Sequence, residues 1–319
     1  MKRIIYILLV ISIFVLIISI FIKPVIIFLA ERQIARVFLG SRVSIRDCAL
    51  RPLSQLSLLD LEINKGKIYN FKFKEIVILY SLPSILKRNI SNSSLLDAIM
   101  GVDFKIDSLE SQGFRLENAS LNVSRLNDRG GLYINRLEYD KVKIKEIRSK
   151  ARLNDGDLLL DSLSAKLLNG EVQGDLSLRI DKGREYLASL KFIDLDLETF
   201  VNDFNLNKKI QVTGKLGGTV TLKGAGLNID DISGEFSNDE HGGRLVIRDT
   251  RFLENLAGSS KVPLDILVES FKDYHYNTGV MSLSLDKGNL ILDITLDGET
   301  GSRNLNITVH DFKLRREEL

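Results

Sequence analysis

The chain has 319 residues, 44% of them hydrophobic, enough for one long domain or two compact ones with a substantial core. Lys and Arg number 44 against 42 Asp and Glu, a formal net charge of +2 with no long block of one sign, which argues against nucleic acid as a partner. The single cysteine, Cys48, leaves no internal disulfide, and the absence of Trp with 7% aromatics argues against sugar-stacking platforms.

The first predicted element is Ile4 to Ile22, "IIYILLVISIFVLIISIFI", an uncharged run of 19 residues flanked by Lys2, Arg3 and Lys23. As a helix it covers about 28 Å, close to the ~30 Å hydrocarbon core of a bilayer. Sixteen of its residues are Ile, Leu, Val or Phe, and at about 0.3 to 0.6 kcal/mol each they favour insertion by roughly 5 to 10 kcal/mol. A cleaved signal peptide is the competing reading. Its small-residue positions fall on Phe28 and Ala30, and Phe28 is too large, so a retained anchor over residues 1–24 is expected. The next stretch, "VIIFLAERQIARVFL", stays apolar at helical spacing with Arg32 and Arg36 interspersed. It reads equally as a juxtamembrane amphipathic helix over 25–40 and as a helix capping a β domain. Counting short-loop charges, Lys2 and Arg3 before the span against Lys23, Arg32, Arg36, Arg42 and Arg46 after it, would put the large domain in the cytoplasm.

Residues 41–319 read as a third region, a long antiparallel β array of about 14 to 18 strands. "VSIRDCALRPLSQLSLLDLEI", "KIYNFKFKEIVILY", "RLENASLNVSRL", "GLYINRLEYDKVKIKEIRSKARL" and "DLLLDSLSAKLL" are short strands between Asn, Asp and Gly turns. In the next strand Val172, Gly174, Leu176, Leu178 and Ile180 alternate with Glu171, Gln173, Asp175, Ser177 and Arg179, giving one apolar and one polar face. "IQVTGKLGGTVTLKG" repeats the cadence with Ile210, Val212, Leu216, Val220 and Leu222 on one side. "MSLSLDKGNLILDITLDG" pairs Leu283 and Leu285 with Leu290, Leu292, Ile294 and Leu296 across a turn at Asp286 to Asn289, and Leu305, Ile307 and Val309 follow. Helices are few: "PSILKRNISNSSLLDAIM", "DLETFVNDFNL" with Leu197, Phe200, Val201 and Phe204 on one face, and "VPLDILVESFKDY". An array with one apolar face has to bury it as a sandwich, a closed barrel or an open trough covered by a ligand, and alternation alone leaves all three open.

"LDSLSAKLLNGEVQGDLSL", with its turn near Asn169 and Gly170, resembles the signature of the AsmA-like superfamily, and "DLDLETFVNDFNLNKKIQVTGKLGGTVTLKG" resembles its repeat of a short helix followed by a glycine-punctuated strand. "GEFSNDEHGGRLVIRD" and the run from Leu267 to Gly298 resemble the C-terminal region of YdbH-like proteins, sometimes labelled a dicarboxylate transport domain, through Phe271, Tyr274, Tyr276, Leu283, Gly288, Leu290, Leu292 and Gly298. The resemblance implies an elongated, twisted antiparallel sheet forming a β-groove, with a few short helices and one N-terminal transmembrane helix. It implies a single-pass inner-membrane protein of the envelope with its large domain in the periplasm, shielding phospholipid acyl chains between membranes and working with a small outer-membrane lipoprotein. The groove lining expected on that basis is Val172, Leu176, Leu178, Ile180, Val212, Leu216, Val220, Leu222, Leu283, Leu285, Leu290, Leu292 and Ile294.

Motifs for chemistry are sparse. No G-x-x-x-x-G-K-[ST] loop occurs, and "KGAGLNID" lacks the third glycine of a dinucleotide site. His241, His275 and His310 are far apart, and neither H-E-x-x-H nor paired-cysteine spacing is present. "NDEHGG" reads as a polar turn, "YHY" around His275 as a partly buried strand entry, and the pairs Asp157/Asp161 and Asp194/Asp196 as solvated carboxylates. The expectation is a protein with no catalytic residues, no metal and no cofactor, with phospholipid and the inner membrane as partners and no nucleic acid. The alternative reading is a tethered, closed β domain acting as a structural or protein-interaction module, in which the same leucines form a dry core. A dicarboxylate transporter is poorly supported, since one span cannot build an alternating-access path.

Overall fold

A computed structural model describes residues 22–51, 53–83, 99–125, 130–154, 156–180, 183–226, 228–249, 253–254, 264–310 and 312. The expected membrane-spanning segment over Ile4 to Ile22 and most of the helix expected in "PSILKRNISNSSLLDAIM" lie outside these residues. No helix among the described residues is long and apolar enough to cross a membrane.

The chain forms two compact units, residues 1–138 and 139–319. The first opens with helix α1 (residues 22–37). Strands β1 (Arg42–Arg51), β2 (Gln55–Asn64), β3 (Tyr69–Tyr80), β4 (Ile99–Ser111) and β5 (Phe114–Ser124) follow, then β6 (Gly130–Tyr139). The second holds β7 (Val142–Asn154), β8 (Asp157–Leu167), β9 (Gly170–Arg179), β10 (Glu185–Asp196), helix α2 (Leu197–Asp203), β11 (Ile210–Thr213), β12 (Lys215–Ala225), β13 (Asn228–Asn238) and β14 (Gly243–Ile247). Helix α3 (Leu264–Ser270) then leads into β15 (Tyr274–Tyr276), β16 (Thr278–Asp286), β17 (Asn289–Gly298) and β18 (Gly301–Val309). These 18 strands sit at the top of the expected number, and the mostly β, antiparallel character is as the alternation requires. Fifteen of them hydrogen-bond in one sheet in sequence order; it omits β11, β14 and β15, which pair separately in the order β11-β14-β15.

In the first unit the apolar face of β1 to β3 is sealed. Ile45, Cys48, Leu58, Leu61, Ile63 and Ile76 form a buried cluster, and Ile26, Ile27, Ala30 and Ile34 of α1 pack over it. Phe38, just past the helix, stands edge-on to Tyr69 and Phe71 with ring centroids 6.1 Å away in each case. Polar ties fix the helix to β1: Ile45 N donates to Glu31 Oε1 at 2.8 Å, and Lys23 Nζ to Asp47 Oδ1 at 3.2 Å. The opposite side of α1 leaves Val25, Phe28 and Leu29 exposed ahead of Arg32 and Arg36.

In the second unit the strands are joined by tight turns that the sequence encodes locally. Leu168 and Asn169 both take positive φ, as a two-residue type I′ hairpin demands. The turn thus sits one residue earlier than Asn169-Gly170. Gly170 is required for another reason: a Cβ there would lie 2.4 Å from the carbonyl oxygen of Ile193. Lys287 and Gly288, at φ 49° and 80°, make the matching turn between β16 and β17. Glu146, Ser162 and Asp194 adopt left-handed φ inside β7, β8 and β10, where the pairing register slips. These are bulges, and each sharpens the local twist of its strand.

Candidate functional site: an apolar sheet face and its pocket

The register of the second unit aligns the apolar residues into rows. One row pairs Leu160 with Leu176, Leu176 with Ala188, Ala188 with Leu222 and Leu222 with Ile232. The next takes Leu190 to Val220, across Gly234 to Leu283, then Leu292 and Ile307. A third joins Val172 to Phe192, and, across Gly218, Phe236 to Met281, Ile294 and Leu305. Because side chains alternate across a strand, directly opposed residues share a face, so these rows form one apolar surface. The other face carries exposed ion pairs such as Lys166–Glu146 at 2.7 Å and Arg179–Asp157 at 3.2 Å, each worth at most about 1 kcal/mol.

What covers the apolar surface decides what it can do. Among the described residues, α2 and the small sheet lie over its β16 to β18 end through Phe200, Val212, Leu245 and Tyr276. Leu176, Leu178, Leu222, Leu283, Leu285, Leu290 and Leu292 are half-buried. Val172 and Val220 are buried, and Ile180, just beyond β9, is 48% exposed. Of the lining expected from sequence, Leu216, Val220 and Leu222 of β12 and Leu283, Leu285, Leu290, Leu292 and Ile294 of β16 and β17 come together on this face with Val172, Leu176 and Leu178 of β9.

Val212 does not join them. The run "IQVTGKLGG" is broken at Gly214, whose φ of +120° no other residue adopts readily, so β11 belongs to the second sheet and β12 to the first. Alternation carries straight through that glycine, so the sequence puts Val212 on the same side as Leu216. Val212 instead faces the main sheet from the opposite layer, packed with Ile210 and Val268 against a core of Leu245, Ile247, Leu253, Phe271, Tyr274, Tyr276, Leu296 and Leu305.

Between the layers lies an apolar cavity of about 220 Å³. Phe200, Val212 and Leu245 line it from α2 and the small sheet, and Met281, Ile294 and Ile307 from the main sheet. Helix α2 is positioned by Asp196, whose Oδ1 accepts from Thr199 N at 2.6 Å, and the Phe200 and Phe204 rings lie 4.6 Å apart. Polar groups at the wall are already engaged. Tyr276 Oη donates to Thr213 O at 2.8 Å, and burial pushes its pKa up to about 12, so it stays a neutral phenol. Asn238 donates to Asp239 O at 2.6 Å and Asn277 O at 2.9 Å, while its carbonyl accepts from Gly279 N. The sequence hinted at both walls, in the apolar face of α2 and the spacing of Tyr274 and Tyr276, but gave no sign that they oppose each other.

Three of the carboxylates weighed for chemistry are otherwise occupied. Asp157 pairs with Arg179, Asp161 with Arg152 at 2.8 Å, and Asp196 caps α2. His241 and His275 are exposed beside Asp239 and Asp273. Among the described residues no three His, Cys, Asp or Glu side chains come together as a metal site. Compared with protein-family models, curated proteins and solved structures, the chain has no match in any of the three.

Proposed function

We propose that the protein handles phospholipid without chemistry: anchored in the inner membrane by residues 4–22, with its large domain in the periplasm, it shields acyl chains against the apolar face of β8 to β18 and so supports phospholipid movement between membranes. The observation that carries this reading is the half-buried row Leu283, Leu292 and Ile307, an aliphatic surface beside the equally half-buried Leu285 and Leu290. Each methylene laid against it contributes about 0.8 kcal/mol, and a lining without polar contacts holds a chain while letting it slide. The exposed Val25, Phe28 and Leu29 of α1, directly after the apolar stretch, support contact with the bilayer surface. The AsmA-like resemblance supports the periplasmic side and a small lipoprotein partner.

The test is a photo-crosslinking amino acid placed in the full chain at Leu283 or Leu292, and at Ser284 or Asp293 on the opposite face. Phospholipid adducts at the first pair and not the second are expected. Adducts to protein alone at Leu283 and Leu292 would favour the closed interaction module, for which the two-layer core around Tyr274 is the supporting observation.

A further inference from the structure

We propose that the cavity between the small sheet and β16 to β18 is a terminal acyl site, distinct from the sliding surface, that receives the methyl end of one fatty acyl chain; this rests on the lipid-handling reading above. Three properties select that occupant. The cavity's 220 Å³ holds roughly seven methylene-sized groups, taking the ~30 Å³ of a liquid water as one such volume. That is room for part of a single chain and not for two. Its wall offers no free hydrogen-bonding group, because Tyr276 and Asn238 are both engaged in the fold, so a polar or charged ligand would be desolvated without compensation. Its floor is continuous with the open face: Ile307 in the cavity pairs with Leu292, and Leu292 with Leu283, along one row. A chain lying on that row can enter tail first with no polar barrier. The site therefore gives the lipid a fixed end, where the open rows provide only a featureless track.

The experiment uses the full chain in phosphatidylethanolamine and phosphatidylglycerol vesicles carrying a trace of phosphatidylcholine with a diazirine on its acyl chain. In one preparation the diazirine is at the chain terminus, in the other next to the carbonyl. After irradiation, terminal diazirine adducts are expected on Phe200, Met281 and Ile294 at least fivefold above those from the carbonyl-proximal probe, which labels the rows around Leu283. Met281→Trp, which fills the cavity without adding charge, should remove the cavity adducts and leave those around Leu283. Ile307→Phe serves as a second filling variant should Met281→Trp unfold. Labelling around Leu283 with none in the cavity, or equal cavity labelling by both probes, overturns the terminal site while the lipid-handling reading stands. No lipid label on either surface overturns both.

Discussion

The sheet faces of β1 to β3 and of β8 to β18 are written in the same alternating code, yet they are buried to different depths. Over the first, Ile26, Ile27, Ala30 and Ile34 of α1 supply a second layer, and Leu61 and Ile63 are 3% and 2% exposed. In the second unit Leu283 and Leu292 of the main sheet stay half-buried. The difference teaches that period-2 patterning determines which side of a sheet is apolar, whereas the fate of that side depends on whether the chain also provides an amphipathic element to lay on it.

The contrast breaks most sharply under a charge. Leu61→Asp puts a carboxylate where it can be neither solvated nor paired, and a loss of several kcal/mol is expected, seen as loss of the cooperative urea transition by circular dichroism. Leu292→Asp should lower stability by less than about 1 kcal/mol and abolish the lipid adduct at Leu283. Equal destabilisation by the two would mean that both faces are sealed. A smaller effect is expected at Cys48, which is fully buried, with its thiol pKa raised by burial first and by the Asp47 charge second. Maleimide should react with it slowly, and Ile34→Asp, by loosening α1, should speed labelling roughly tenfold, the ratio given by about 1.4 kcal/mol of easier local opening. Tyr274→Phe removes a buried hydroxyl that lies 2.9 Å from Leu296 O and 2.7 Å from Gly301 O, and should cost about 1 to 2 kcal/mol by thermal melting. The most local change is Asp196→Ala. Losing the α2 cap should cost about 1 kcal/mol, visible as faster amide exchange in α2 with β8 and β9 unaffected.

The strands were readable because alternation and turn chemistry are local. Leu176, Leu178, Leu290 and Leu292 announce their face two residues at a time, and Lys287-Gly288 announces its hairpin. What escaped is non-local. The parity of Ile210, Val212 and Leu216 survives Gly214, so nothing in that string records the chain's departure to another sheet. For α1, the apolar positions Ile26, Ile27 and Ile34 and the apolar positions Val25, Phe28 and Leu29 lie on opposite sides of one helix. Composition gives both sides the same character, and only packing shows which one meets protein. The cavity is the product of two such non-local facts, a helix face and a strand excursion brought over the same floor.

The neighbour-to-neighbour ladder has a kinetic corollary. Each strand from β7 to β10 closes onto the one just made, so every step joins residues close in sequence and no strand waits for a distant mate. Assembly of this kind proceeds by zippering, one hairpin serving as template for the next. Its reverse is fraying, which starts where a strand has a single strand partner; β18, which among the described strands pairs with β17 alone, is the rung of the main sheet from which the second unit should begin to unravel.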